Sequence, residues 1–252
     1  MNSGPNARSQ RLCTWAGPLM MVVFGIGFWG VARLIPPPVP SWSATELAGY
    51  LTEHQTRIRI GLVIAMLGAA LGFGFPVAIM LQLRRIEGPA SPLAYLQLVT
   101  GLLTPPLFIF PMFAMAASAY RPESRAPEIT QALNDLGWLA LVGFGGPAIL
   151  QSIVIAIAVL SDRRADPVFP RWVGYFNVWA ALLFLPGLLV ICFHTGPFAW
   201  NGVFAFWVPL TIFTAWYVVM AAMLLRAISQ EEREALPDSG ATPVPVGQAR
   251  LG

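Results

Sequence analysis

Charge is what this sequence has least of. Asp, Glu, Lys and Arg make up 11% of its 252 residues, against about 25% in a soluble domain, so the chain cannot clothe a core in water-facing side chains. Lysine is absent and all 15 basic residues are Arg, a bias that a GC-rich bacterial genome produces. The net charge of +3 arises from 15 basic and 12 acidic residues spread over loops and tails. No basic face forms, which excludes a nucleic-acid binder. The only cysteines, Cys13 and Cys192, offer no disulfide framework, zinc spacing or CxxC pair. Cys13 lacks the apolar run that precedes a lipoprotein cysteine, and no small-x-small site closes the first apolar stretch. Nor is there a GxSxG elbow, an HExxH, a P-loop or a strand-linked GxGxxG. The expectation is therefore a protein that is not an enzyme and carries no cofactor.

What the chain does have is hydrophobic length: 56% of residues are hydrophobic and the mean hydropathy is +0.66. A helix needs about 20 residues to cross some 30 Å of hydrocarbon. Six stretches reach that length: Trp15 to Leu34, Ile58 to Leu83, Leu93 to Ala119, Leu136 to Leu160, Trp172 to Phe193 and Phe204 to Leu225. They are continuously apolar, without the alternation of membrane strands, so the sequence predicts an all-α membrane protein. Its core is a bundle of six transmembrane helices over residues 15–228, with a cytoplasmic tail at 1–14 and a polar, disordered one at 229–252. Six spans leave both termini on one side, which then holds ten Arg against the five of Arg33, Arg57, Arg59, Arg121 and Arg125. The positive-inside rule makes that side cytoplasmic, and the expected location is a bacterial cell membrane. Trp15, Trp42, Trp138, Trp172 and Trp200 fall near span ends, as expected of an interfacial belt.

The outer loops hold most of the remaining complexity. Pro36-Pro37-Pro38-Val39-Pro40 reads as a stiff exit from the first span. Ser43 and Glu46 then form an S-x-x-E capping box ahead of Leu47, Tyr50, Leu51 and His54 at helical spacing, which predicts a short interfacial helix. The segment from His194 to Gly202 reads as a turn whose aromatics dip into the interface. The strings Gly72-Phe73-Gly74-Phe75-Pro76 and Gly143-Phe144-Gly145-Gly146-Pro147 echo one another, each followed by an Arg pair. Tyr95-Leu96-Gln97 is echoed by Tyr175-Phe176-Asn177, and Pro105 by Pro186. A duplicated two-helix hairpin is one reading, and chance recurrence of Gly, Pro and aromatics is the other.

No ionisable residue falls near the middle of a span, which argues against a carboxylate-based pump. The spans do contain breakers at Pro105, Gly145 and Pro186. These are kinks that neighbouring helices repair, or half-helix ends around a ligand. Gln151 and Ser152 deep in span four, with Gln97 and Asn177 in spans three and five, are buried polar side chains suited to interhelical hydrogen bonds or, for Gln97, Gln151 and Asn177, to a ligand. The two histidines, His54 and His194, both lie on the outer side and are weak metal or haem candidates. Asp162 and Asp166 flank Arg163 and Arg164 in what reads as an exposed charge cluster, with a metal-bound phosphate as the other possibility.

The strings Ala132 to Trp138, Phe169 to Asn177 and Gly196 to Gly202 resemble a group of actinobacterial six-span integral membrane proteins without an established activity. The resemblance runs from about Ile35 to Ile228 and implies a bacterial cell-membrane location and no catalytic residue. Three functions stay open. The first is a component of a membrane assembly or a handler of an apolar small molecule or lipid, with the bilayer and other membrane proteins as partners. The second is an uncoupled small-molecule transporter using the broken helices. The third is a haem-binding redox protein.

Overall fold

The computed structural model describes residues 6–235, which form helices and no strand. Six helical spans are long and apolar enough to cross a membrane: Ala7–Val31, Gln55–Glu87, Pro92–Ser118, Pro127–Ser161, Arg171–Cys192 and Val203–Glu234. The chain is a polytopic, all-α membrane protein. Its last seventeen residues, which include most of the C-terminal tail, lie outside the described residues.

Span one is α1 (Ala7–Gly25) continued by a π-helical stretch, Ile26–Val31. The helix begins eight residues before Trp15, within what the sequence presents as a tail, because Asn6 accepts the Ser9 N–H as its cap. Its polar first turns also find partners at the end of the last span. The capping box forms as expected: the Ser43 side chain accepts from Glu46 N, the Glu46 carboxylate accepts from Ser43 N, and α2 (Ala44–Glu53) follows. Its Leu47 and Leu51 are buried.

Spans two to five are each broken. Span two is α3 (Gln55–Leu71) and α4 (Gly74–Glu87), and span three is α5 (Pro92–Leu102) and α6 (Thr104–Ser118). Span four is α7 (Pro127–Gly143) and α8 (Gly146–Ser161), and span five is α9 (Arg171–Phe184) followed by a 3-10 stretch, Leu185–Cys192. The breaks in spans three, four and five fall at the breakers named from sequence, where proline lacks the N–H that would continue the ladder; the break in span two, at Gly72 and Phe73, is not among them. The two echoing hairpins break in corresponding places, a correspondence the strings alone left open. Span six opens with a second π-helical stretch, Val203–Trp207, and continues as α10 (Val208–Glu234).

Spans one and two approach backbone to backbone. A Cβ on Gly68 would lie 2.5 Å from Phe24 N, and one on Gly27 would lie 2.5 Å from Ala65 N. The small residues of span two thus serve close helix contact. Two of the five Trp expected at an interface are core instead: Trp138 is fully buried and Trp200 is 5% exposed. The Trp200 indole donates to Pro38 O at 2.8 Å, pinning the polyproline segment over the bundle, whereas Trp15 and Trp172 are exposed.

The two termini meet at one end of the bundle. Glu231 accepts from the Gln10 and Gln82 amides at 3.1 and 3.0 Å, while Arg85 donates to Gln82 Oε1 at 2.7 Å and to Glu234 at 2.8 Å. Both amides are buried, Gln82 at 0% exposure and Gln10 at 7%. Glu231→Ala leaves the Gln10 N–H without an acceptor, while Gln82 keeps Gln10 Oε1 at 2.6 Å, and is expected to cost about 1–3 kcal/mol of stability. Glu232 pairs with Arg11 at 2.6 Å, with side chains 40% and 43% exposed, so Glu232→Ala should cost less than about 1 kcal/mol. Melting temperatures of the two variants in the same detergent check the contrast; equal losses would contradict it.

Candidate functional site

A cavity of about 150 Å³ lies within the bundle. Met20, Met21 and Phe24 of α1 and Phe28 of the first π-helical stretch form one wall. Thr104, Leu107 and Phe108 of α6 face them, and Phe206, Leu210 and Phe213 of span six close a third side. The fourth side is the break between α7 and α8, where Val142, Phe144, Gly145 and Ala148 line it together with Phe184 at the end of α9. Phe144 is 56% exposed, so the cavity reaches the outer surface of the bundle. Depth follows from chain length. Thr104 stands twelve residues past Pro92 and fourteen before Ser118 in the third span, about 18 and 21 Å along the helix. The inner end of the cavity is therefore near the bilayer midplane.

The irregular backbone explains why the space exists. The ends of regular helix at Leu102, Gly143 and Phe184, and both π-helical stretches, border this one volume. Widened turns are frequent at functional sites, and irregular backbone at membrane depth persists where it is buried or lines a cavity. Gly145 and Ala148 contribute almost no side chain, and a Cβ on Gly145 would meet nothing closer than 3.7 Å. The aromatic side chains brace one another, with ring centroids of Phe24 and Phe108 at 4.9 Å, Phe108 and Phe213 at 5.3 Å, and Phe213 and Tyr217 at 4.9 Å.

A smaller chamber of about 10 Å³ adjoins the inner end, sharing Thr104, Ala148, Phe184 and Phe213 with the main cavity. Gln151, Ser152, Trp216 and Tyr217 complete it. No Asp, Glu, Arg or His lines either volume.

The residues singled out from sequence divide. Gly145 lines the main cavity and Gln151 the small chamber. Pro105 and Pro186 are not in the lining, but Thr104 and Phe184 next to the corresponding breaks are. Asn177 is committed to structure: its amide donates to Val173 O at 2.9 Å and its oxygen accepts from the Trp216 indole at 2.8 Å. Gln97 is fully buried on α5, outside both volumes, with no hydrogen-bond partner for either amide atom. His54 ends α2, edge-on to Tyr50 at 4.8 Å. His194 is exposed. Among the described residues no group of three or more His, Cys, Asp or Glu could hold a metal.

Asp162 is no member of an exposed cluster. Its side chain is 2% exposed and pairs with Arg164 at 3.0 Å, while its carboxylate also accepts from the backbone N–H groups of Arg164 and Val168. Burial pushes its pKa up, but these hydrogen bonds and the Arg164 charge outweigh that and hold it below the usual carboxylate value. It organises the turn between α8 and α9.

Most of the lining, including Phe24, Phe108, Phe213 and Met20, carries no signal in the sequence. An aromatic or Met facing an internal void reads the same as one facing lipid. The available hint was the coincidence of helix breakers with aromatics at similar depth. No family model, curated protein or solved structure matches the chain. The actinobacterial resemblance stands on its three strings alone.

Proposed function

We propose that this protein is a non-enzymatic handler of a neutral apolar molecule, which it takes from the bilayer into the cavity beside the α7–α8 break. The observation that carries this reading is an apolar void of about 150 Å³ at membrane depth. An apolar cavity of roughly that size stays dry and accepts a ring the size of benzene. An occupant larger than this extends past Phe144 into lipid. The Met and Phe walls adapt to irregular apolar shapes, and without a charge in the lining a lipid phosphate or carboxylate has no counter-ion there. In this reading the protein sits in a bacterial cell membrane with both termini cytoplasmic, since that end carries the larger number of Arg.

Uncoupled transport of the same molecule is the second reading. It is favoured by the breaks in spans three, four and five all bordering the cavity, because discontinuous helices are how many carriers build a site.

Organic extraction of the protein purified from its native membrane in mild detergent tests the primary reading. The expected result is one neutral species enriched to near the molar amount of protein. Recovery of bulk membrane lipids alone, in membrane proportions, would sink it.

A further inference from the structure

We infer that the inner chamber is a hydrogen-bonding seat for one uncharged oxygen, so that the occupant is a long neutral molecule ending in a hydroxyl or carbonyl. This rests on the reading of the cavity as an apolar ligand site and names the class of ligand.

Four polar side chains converge on the chamber: Thr104, Gln151, Ser152 and Tyr217, which are 7%, 5%, 1% and 3% exposed. Among the described residues their one side-chain hydrogen bond is from Tyr217 Oη to the Met20 thioether at 3.8 Å, and a thioether is a weak acceptor. Of the neighbouring polar groups, Thr100 bonds to Leu96 O at 2.9 Å and Asn177 takes the Trp216 indole at 2.8 Å; Gln97 on α5 is unpaired but stands alone, outside the chamber. An unpaired polar group in hydrocarbon is costly. Three groups without a side-chain hydrogen bond, and a fourth held only by a thioether, around one space suit a hydrogen-bonding oxygen as their partner.

The chemistry of the seat sets the class of that partner. A hydroxyl or amide N–H from each residue can donate to an oxygen lone pair, and the Gln151 carbonyl and the hydroxyls can accept from an O–H. None of them is a cation, so a carboxylate or phosphate arriving there would be desolvated without compensation. At about 10 Å³ the chamber holds a single water-sized group, one oxygen and not a headgroup. The main cavity continues from it and takes the adjoining ring or first few methylenes. The molecule therefore lies polar end inward, opposite to a bilayer phospholipid. That orientation suits weakly polar solutes such as long-chain alcohols, polyprenols, ketones or quinones.

Photolabelling of the full chain in phosphatidylcholine nanodiscs tests this. Three decyl diazirine probes are compared at equal membrane content, ending in a hydroxyl, a methyl or a carboxylate. Labelled peptides are located by mass spectrometry. In the wild type the hydroxyl probe should label the peptides containing Thr104 and Gln151 about fivefold or more above the methyl probe, the factor of one net buried hydrogen bond. The carboxylate probe should label them no more than the methyl probe. Gln151→Leu should bring hydroxyl labelling down to the methyl level while methyl labelling persists. Equal hydroxyl and methyl labelling in the wild type would overturn the seat and leave the apolar site standing. Absence of cavity labelling by every probe would overturn the site itself. The wild-type comparison is decisive even if Gln151→Leu fails to fold.

Discussion

Replacing Ala148 with phenylalanine is expected to abolish ligand retention while leaving the protein folded. Ala148 lines both the main cavity and the inner chamber, so a ring there occupies the neck between them. The space of about 150 Å³ accommodates a benzene-sized group without moving backbone. Filling a void restores contacts that its walls lack, at roughly 24 cal/mol per Å³, so the melting temperature should hold or rise. Bound neutral molecule per mole of protein should fall at least about tenfold, beyond the factor of a single lost hydrogen bond. A variant that loses both ligand and stability would show instead that the neck is a packed core.

The second large effect belongs to the crossing of spans one and two. Gly61→Ala is expected to prevent accumulation of folded protein. A Cβ there would fall against Ala32 N and 2.5 Å from Gly27 O, and neither is the end of a flexible side chain. Relief requires the π-helical stretch, whose Ala32 N donates to Gly27 O at 2.8 Å, to move away from α3. Overpacking of this kind costs about 1–3 kcal/mol and occasionally more, and the rigid neighbours place this case at the upper end. The same stretch carries Phe28 and so one wall of the cavity. Gly25→Ala is the control, because nothing lies within 4 Å of its Cβ position. Thermal unfolding in detergent compares them; similar behaviour of the two variants would contradict the crossing geometry.

The architecture was largely legible because bilayer physics leaves few choices. Six continuous apolar stretches in so uncharged a chain admit six helices, and Ser43 with Glu46 marked α2. The breaks at Pro105, Gly145 and Pro186 were legible for a similarly local reason, the missing donor or side chain. The π-helical stretches at Ile26–Val31 and Val203–Trp207 were not. No residue type demands such a turn; it depends on what the stretch meets in three dimensions. Trp138 and Trp200 were misplaced at the interface because nearness to a span end says nothing about which way a ring faces. The start of α1 at Ala7 escaped notice because Gln10 and Arg11 read as solvated until Glu231 and Glu232 are seen beside them. Of the candidate site, the polar residues Gln151 and Ser152 and the break at Gly145 could be named in advance. The convergence of Gln151 and Ser152 with Thr104 and Tyr217 on one chamber, and the assignment of Asn177 to the Trp216 indole, needed the tertiary structure.

Native mass spectrometry of protein taken from its own membrane and released from nanodiscs tests the central claim most directly. The wild type should carry one discrete adduct, a neutral molecule bound one to one, and Ala148→Phe should appear at its bare mass. An unadducted wild type, or the same adduct on both proteins, would contradict the assignment of the cavity as the binding site.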